Sequence, residues 1–259
     1  MIDPTAIISP EARIGERVAI GPYTVIDAGV TVGEDCRIGP GVYLTGNVAI
    51  GARCRIHKGA VLGDEPQDSS YDGSPTEVQI GVECVFREYV TVHRGSRRGG
   101  VTRIGNGCMF MAFSHVGHDC NVGDGVVLAN QSLLAGHVDV EEKVTISAAV
   151  AVHQFCRIGT LAMIGGRARI NQDVPPYCLV NHRGEVSGVN LIGLRRNGLT
   201  SQERIAVSGA FKMFFRTDRM RTEAIEDVAR QYPENPVIVR FVEHVLASKR
   251  GILPGMAWR

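Results

Sequence analysis

The feature that most limits what this chain can fold into is an aliphatic residue that returns every six positions. It runs from Ile8 through Ile14, Ile20, Ile26, Val32, Ile38, Leu44, Ile50, Ile56 and Leu62, resumes at Ile80, Phe86 and Val92, and continues from Ile104 to Ile170. An amphipathic helix needs a period near 3.6 and a lone strand a period of 2, so neither explains it. The next residue is often glycine, as at Gly15, Gly21, Gly33 and Gly39. The position four after each aliphatic is small or β-branched, as at Ala12, Val18, Thr24 and Val30. Six of the seven cysteines (Cys36, Cys54, Cys84, Cys108, Cys120 and Cys156) take that same position. This reads them as small buried hydrophobes; zinc ligands would cluster instead of following a repeat. Glycine is 31 of 259 residues, about 12% against a usual ~7%, which fits a chain with many tight corners.

A hexapeptide period predicts an all-β parallel β-helix. Each hexad supplies one short strand and one corner, and three hexads close a triangular rung. Rungs stack at the inter-strand spacing of ~4.8 Å. The frame slips twice. The interval from Leu62 to Ile80 equals one whole rung, yet positions 68 and 74 do not fit, and position 98 fails between Val92 and Ile104. Segments 64–79 and 94–103, rich in Gly, Ser, Pro and charge, are therefore expected to project as loops, where binding residues often sit.

The repeat stops after Val174, at Pro175-Pro176. The expected organisation is a β-helix over 1–175, a linker over 176–198 and a small α-helical C-terminal domain over 199–259. Thr200-Ser201-Gln202-Glu203 fits a capping box, with Ile205, Phe211, Phe214 and Phe215 as an apolar face. Asn235-Pro236 reads as a helix start, with Ile238, Phe241, Val242 and Val245 as the buried stripe. That helix is expected to end near Lys249 and Arg250, with Gly251 beyond. A solenoid flank that carries apolar residues needs covering, which predicts an oligomer.

The formal net charge is +1, with no long basic or acidic block, so no nucleic-acid surface is expected. No stretch approaches the ~20 apolar residues of a membrane span. Met1-Ile2-Asp3-Pro4 does not open a signal peptide, so a cytoplasmic location is expected.

The 18-residue rung places His118, Gly136 and Gln154 in one column, with His137 and His153 flanking it and His115 just before His118. Histidine serves as a general base near neutral pH, and Asp119 stands next to His118 to orient it. A glycine amide approaches a reacting carbonyl closely as an oxyanion donor. A base and such a donor one rung apart, ~5 Å, suit acyl transfer.

The runs His115-Val116-Gly117-His118-Asp119-Cys120, Leu134-Ala135-Gly136-His137, Val152-His153-Gln154-Phe155-Cys156 and Gln172-Asp173-Val174-Pro175-Pro176-Tyr177 resemble the UDP-N-acetylglucosamine O-acyltransferases, which carry out the first step of lipid A synthesis. His93-Arg94-Gly95-Ser96 and Gly188-Val189-Asn190 with Gly193-Leu194-Arg195-Arg196 match as well, so the resemblance spans almost the whole chain. It implies a left-handed coil, a hand on which periodicity is silent, and a homotrimer with sites in the clefts between subunits. The implied reaction moves a 3-hydroxyacyl group from acyl carrier protein to the 3-hydroxyl of UDP-N-acetylglucosamine, with no cofactor and no metal.

By resemblance, His118 is the general base, Asp119 its partner and the Gly136 N–H the oxyanion donor. His115, His137, His153, Gln154, Asn190 and Arg196 resemble substrate contacts. Gln67 and Asp68, in the first projecting loop, resemble contacts supplied by a neighbouring subunit, and Gly166 matches the position that limits acyl length. Arg167, Arg169 and Arg216 are candidates to meet the acidic carrier protein. Two positions depart from the family pattern: Ser70 stands where lysine is usual and Ile192 where glutamate is usual. A paralogue acting on a modified UDP-sugar and a non-catalytic trimeric UDP-sugar-binding protein are the alternatives. A zinc-dependent carbonic anhydrase on the same scaffold needs three histidines converging across subunits, for which His115, His118, His137 and His153 are the raw material. The related N-acyltransferase carries an N-terminal uridine-binding domain, for which hexads that begin by Ile8 leave no room.

Overall fold

The computed structural model describes residues 1–257; Trp258 and Arg259, the end of the expected helical region, lie outside the described residues. Most hexads fold into a two-residue strand and a tight corner, as in Arg37–Ile38 and Leu133–Leu134. The first residue of each strand points outward and the aliphatic second points in, which gives the alternating exposed–buried pattern.

Three parallel sheets result among the described residues. The first face runs from Ile7–Ile8 to Arg169–Ile170, the second from Arg13–Ile14 to Arg157–Ile158, and the third from Ala19–Ile20 to Cys178–Val180. Paired residues are separated by three hexads of sequence, as in His115↔Leu133 and Asn121↔Asp139. The inward aliphatics form a continuous core in which Leu44, Leu62, Leu128, Leu134 and Ile146 are fully buried. Burial of each such side chain contributes ~1.5–3 kcal/mol. All seven cysteines are free and buried, and Cys36, Cys54, Cys84 and Cys108 donate their thiols to the carbonyls of Gly51, Gly81, Gly105 and Gly123.

The corners recur in the left-handed backbone region on residues other than glycine: φ is +57° at Asp119, +58° at His137 and +65° at Phe155. These three occupy one column on the edge between the first and second faces.

The insertions differ from the expected count. Leu62 pairs with Val92 and Ile50 with Ile80, each pair separated by a full rung plus two further hexads. The stretch from Leu62 to Ile80 thus advances only one face and spends the rest on an excursion. The second insertion separates the partners Ile80 and Ile104 by a rung plus one hexad. Both excursions are whole numbers of hexads, so the phase survives them. The strands Val61–Asp64, Glu77–Ile80, Thr91–His93 and Val101–Ile104 trim the loops to residues 65–76 and 94–100.

Segment 176–198, expected as a linker, is structured. Cys178–Val180 extends the third face and pairs antiparallel with Val186–Val189, and helix α1 follows over Leu191–Arg196. Helix α2 spans Ser201–Phe215 with the expected capping box between Thr200 and Glu203. Phe211 and Phe214 are buried, but Ile205 is 71% exposed and lies off the apolar face. Helix α3, Arg221–Gln231, was not foreseen as a separate element. Helix α4, Pro236–Leu246, has Asn235 as its N-cap and buries Ile238, Phe241 and Val242. It stops before Lys249 and Arg250, short of the expected end. His244 of α4 joins Glu141 of the prism, Nδ1 to Oε1 at 2.7 Å, so this helix is tied to the second face. Among the described residues no helix is long and apolar enough to cross a membrane.

Candidate active site

The first–second edge brings His118, Asp119, Gly136 and His137 together. His118 follows the strand His115–Val116 and lays its imidazole against Gly136 one rung on: a Cβ built at residue 136 would stand 2.4 Å from both Cε1 and Nε2 of His118. Only glycine leaves room for the ring there. The ladder that fixes this stacking includes His137 N–H donating to the His118 carbonyl at 2.9 Å.

His118 Nδ1 lies 2.8 Å from Asp119 Oδ2. The same oxygen accepts from the Ser96 amide at 2.9 Å and the Ser96 hydroxyl at 2.8 Å. The Asp119 amide in turn donates to Thr102 Oγ1 at 2.8 Å. Burial pushes the Asp119 carboxyl up, but the hydrogen bonds from His118 and Ser96 outweigh it and hold the group below its ordinary value. An ionised Asp119 keeps the proton on Nδ1, which leaves the lone pair on Nε2.

Gly136 also presents a donor. At several other corners the leading amide is capped by a side chain from an adjacent rung: Asn106 Oδ1 accepts from Val82, Asp124 Oδ1 from Asn106, and Glu141 Oε2 from Thr160. The Gly136 N–H has no acceptor among the described residues. The amides of Asn130, Ala148 and Gln154, at the same position of their hexads, likewise have no acceptor among the described residues.

His137 stands edge-on to His118, ring centroids 5.1 Å apart, and stacks on Phe155 at 4.8 Å. Its Nε2 is 3.7 Å from Asp119 Oδ2. His118, Asp119 and His137 are close enough to be considered as metal ligands. They offer two imidazoles and a carboxylate, and the nearer Asp119 oxygen already holds three donors.

His115, on the outside of the first face, bonds Thr91 through Nδ1 at 2.7 Å and packs edge-on against His93. Burial, with the neighbouring His93 and His118, pushes His115 down to about 4, so it is neutral at physiological pH. Burial lowers His93 as well. His93 is buried, and its Nδ1 lacks a partner among the described residues.

Other predicted residues are placed differently. Asp68 accepts from the amide and hydroxyl of Ser70, and these bonds together with His118 and Ser96 lower its carboxyl. Asp68 of the first loop thus lies within electrostatic reach of His118 of its own chain. Gln67, Gln154 and His153 are exposed, and His153 Nδ1 makes only a contact to the Gln154 carbonyl. Asn190 is engaged in structure: Oδ1 caps α1 at Gly193 and Nδ2 donates to the Leu161 carbonyl on the second–third edge. Arg196 and Ile192 are exposed on α1. Gly166 lies on the third–first edge, where an added Cβ would come 3.3 Å from the Ala148 carbonyl.

Sequence reasoning missed Ser96, Thr102, Thr91, His93 and Phe155 as parts of this site. The run His93-Arg94-Gly95-Ser96 was visible, but loop 94–100 carries no period that says what it touches. The two loops are bound to each other and to the prism. Arg94 reaches the Gly63 carbonyl, Glu65 and the Tyr71 hydroxyl, and Gly99 donates to the Pro75 carbonyl.

Residues 173–253 match the family described as UDP-N-acetylglucosamine O-acyltransferase, domain 2, and residues 29–64 and 102–136 match the bacterial transferase hexapeptide. An acyl-carrier-protein-dependent UDP-N-acetylglucosamine O-acyltransferase of Alkalilimnicola ehrlichii is 49% identical over 254 residues, covering 97% of this chain and 98% of that one. One from a Synechocystis species is 41% identical over 76% of this chain and 73% of its own. The crystal structure of the UDP-N-acetylglucosamine acyltransferase of Francisella novicida superposes with a TM-score of 0.95 at 36% identity, covering 98% of this chain and 94% of that one. This likeness takes in the whole solenoid, whose coils are left-handed, as the resemblance implied. A repeat, an edge and a helical end that all match along the full length lead to one statement: this chain belongs to the UDP-N-acetylglucosamine O-acyltransferase family.

Proposed function

We propose that His118 and Gly136 carry the reaction of this enzyme, transfer of an acyl group from acyl carrier protein to UDP-N-acetylglucosamine. The observation that supports these roles is the His118 ring seated on Gly136 with Nδ1 tied to Asp119. His118 Nε2 removes the proton of the sugar hydroxyl as its oxygen attacks the thioester carbonyl. The carbonyl oxygen becomes an oxyanion, and the uncapped Gly136 N–H receives it. Collapse breaks the carbon–sulfur bond, and the imidazolium returns its proton from Nε2 to the departing thiolate. Asp119 stabilises the imidazolium in between. No step calls for a cofactor or a metal.

The acceptor is the 3-hydroxyl and the donor a 3-hydroxyacyl chain. Leu133 is 45% exposed beside His115 on the first face, which leads from the His118 edge towards Gly166. This outer face is the apolar path for the acyl tail. The His118 column, Asn190 with α1, and Gly166 occupy three different edges of one prism, so a substrate that meets all of them lies between copies of the chain. That favours a homotrimer with sites in its clefts. The protein works in the cytoplasm, where acyl carrier protein supplies the donor.

Replacing His118 by Ala tests this reading: turnover falls by roughly 100- to 10,000-fold while the oligomer stays intact by size-exclusion chromatography. Retained turnover overturns the assignment of the base. Ser70 is spent on Asp68 where the family usually has lysine, which makes a modified UDP-sugar the second reading. Competition between UDP-sugars in one assay separates the two. Binding of UDP-sugar with no acyl product from any acyl-carrier thioester would leave only the non-catalytic alternative.

A further inference from the structure

The geometry points to Ser96 as a positioning residue for acyl transfer: it clamps the Asp119 carboxylate that aims His118, and so makes loop 94–100 part of the reaction machinery. The inference rests on the reading of His118 as base. Ser96 is 2% exposed, too enclosed to meet a substrate. Both of its donors go to one atom, Asp119 Oδ2, at 2.9 Å from the amide and 2.8 Å from the hydroxyl. That is the oxygen that also takes His118 Nδ1.

A carboxylate on a corner residue turns about its side-chain bonds unless something holds it. Here the backbone is held by Thr102 and the carboxylate by Ser96. Gly100 lets the loop close over this point, since a Cβ there would stand 2.6 Å from Asp119 Oδ1. The loop is itself fixed, Glu77 N–H donating to the Gly100 carbonyl at 3.0 Å. Charge-assisted bonds to a carboxylate are about twice as strong as neutral ones, so Ser96 withdraws charge from the oxygen that polarises the imidazole. The groups that face His118 are Asp119 and His137 on its own edge, Asp68 from the first loop, and His93 and His115 across the first face.

Ser96→Ala keeps the amide bond and removes the hydroxyl. In the full-length enzyme with acyl carrier thioester and UDP-N-acetylglucosamine, kcat is expected to fall roughly tenfold, with KM for the UDP-sugar within about twofold. With less charge withdrawn from Asp119, the imidazolium is better stabilised, so the acid limb of the kcat/KM profile moves to higher pH. Ser96→Thr keeps the hydroxyl and is expected to restore both. In an Asp119→Ala background the loss of the hydroxyl is expected to add nothing, because its effect runs through that carboxylate.

An unmoved acid limb with wild-type kcat in Ser96→Ala, a folded Ser96→Thr as slow as Ser96→Ala, or additive losses in the double variant each overturn the inference. Should Ser96→Ala fail to fold, a folded Ser96→Thr without activity overturns it on its own, and one with wild-type activity and acid limb supports it. Activity that persists in His118→Ala marks failure of the underlying reading. A dead His118→Ala beside an unaffected Ser96→Ala marks failure of this inference alone.

Discussion

Replacing Gly136 by Ala tests the stacking of the two rungs most directly. The new Cβ would lie 2.4 Å from Cε1 and Nε2 of His118, whereas ordinary contact begins at 3.4 Å. The ring must retreat by about 1 Å or swing off the edge, and either motion works against the 2.8 Å bond to Asp119. A displacement of that size at a reacting group costs about 100-fold in rate, or ~2.7 kcal/mol of transition-state stabilisation. Residue 136 is not in the left-handed region and alanine keeps the amide donor, so neither backbone strain nor loss of the N–H contributes. The assay is steady-state transfer from acyl carrier thioester. A fall in kcat is expected with little change in KM for the UDP-sugar, and Tm should hold within roughly 3 °C, the shift of less than ~1 kcal/mol in a chain of this size. A Gly136→Ala enzyme within threefold of wild-type kcat would refute the reasoning, because it would mean that the ring does no work where it sits.

Gly166→Met is expected to shorten the preferred acyl chain, read from product masses in a competition among thioesters; an unchanged length profile removes Gly166 as the ruler. His115 titrates at 6.5 when unfolded and near 4 when folded, so its contribution is complete above pH 6.5 and is lost as pH falls towards 4. Urea unfolding should show wild type losing about 3 kcal/mol more than His115→Phe between pH 7 and 4, and parallel curves would contradict that. Glu141→Gln leaves the buried His244 with a neutral partner and is expected to cost roughly 1–3 kcal/mol with activity retained. Glu141 is lowered from 4.5 to about 2, so its stabilisation is present above pH 4.5 and fades as pH falls through about 2; a deficit that fails to narrow in acid would argue against the charged bond.

The prism was legible because a six-residue period leaves a chain little else to do with its aliphatics. The same counting brought His118, Gly136 and Gln154 into one column, since no insertion falls between them. It failed where insertions begin. From Leu62 to Ile80 the interval suggested a full turn, and the backbone makes one face and an excursion instead. The segment after Pro176 read as a linker for want of a period, yet an antiparallel pair needs only a few residues and a neighbouring edge. That the Asn190 side chain also caps α1 was likewise not read from the sequence.

The sequence by itself determined the rung, the core, the N-terminal caps of α2 and α4 and the edge on which an imidazole meets a bare amide, because each follows from side-chain direction at a fixed spacing along the chain. Only the tertiary structure decided that Ser96 and Thr102 hold Asp119, that the His93 and His115 rings pack together, and that Glu141 anchors α4 through His244. Those contacts join aperiodic loops and distant helices to the prism. Their partners are selected by shape and by the need to satisfy buried polar atoms, and neither condition is written in any local spacing.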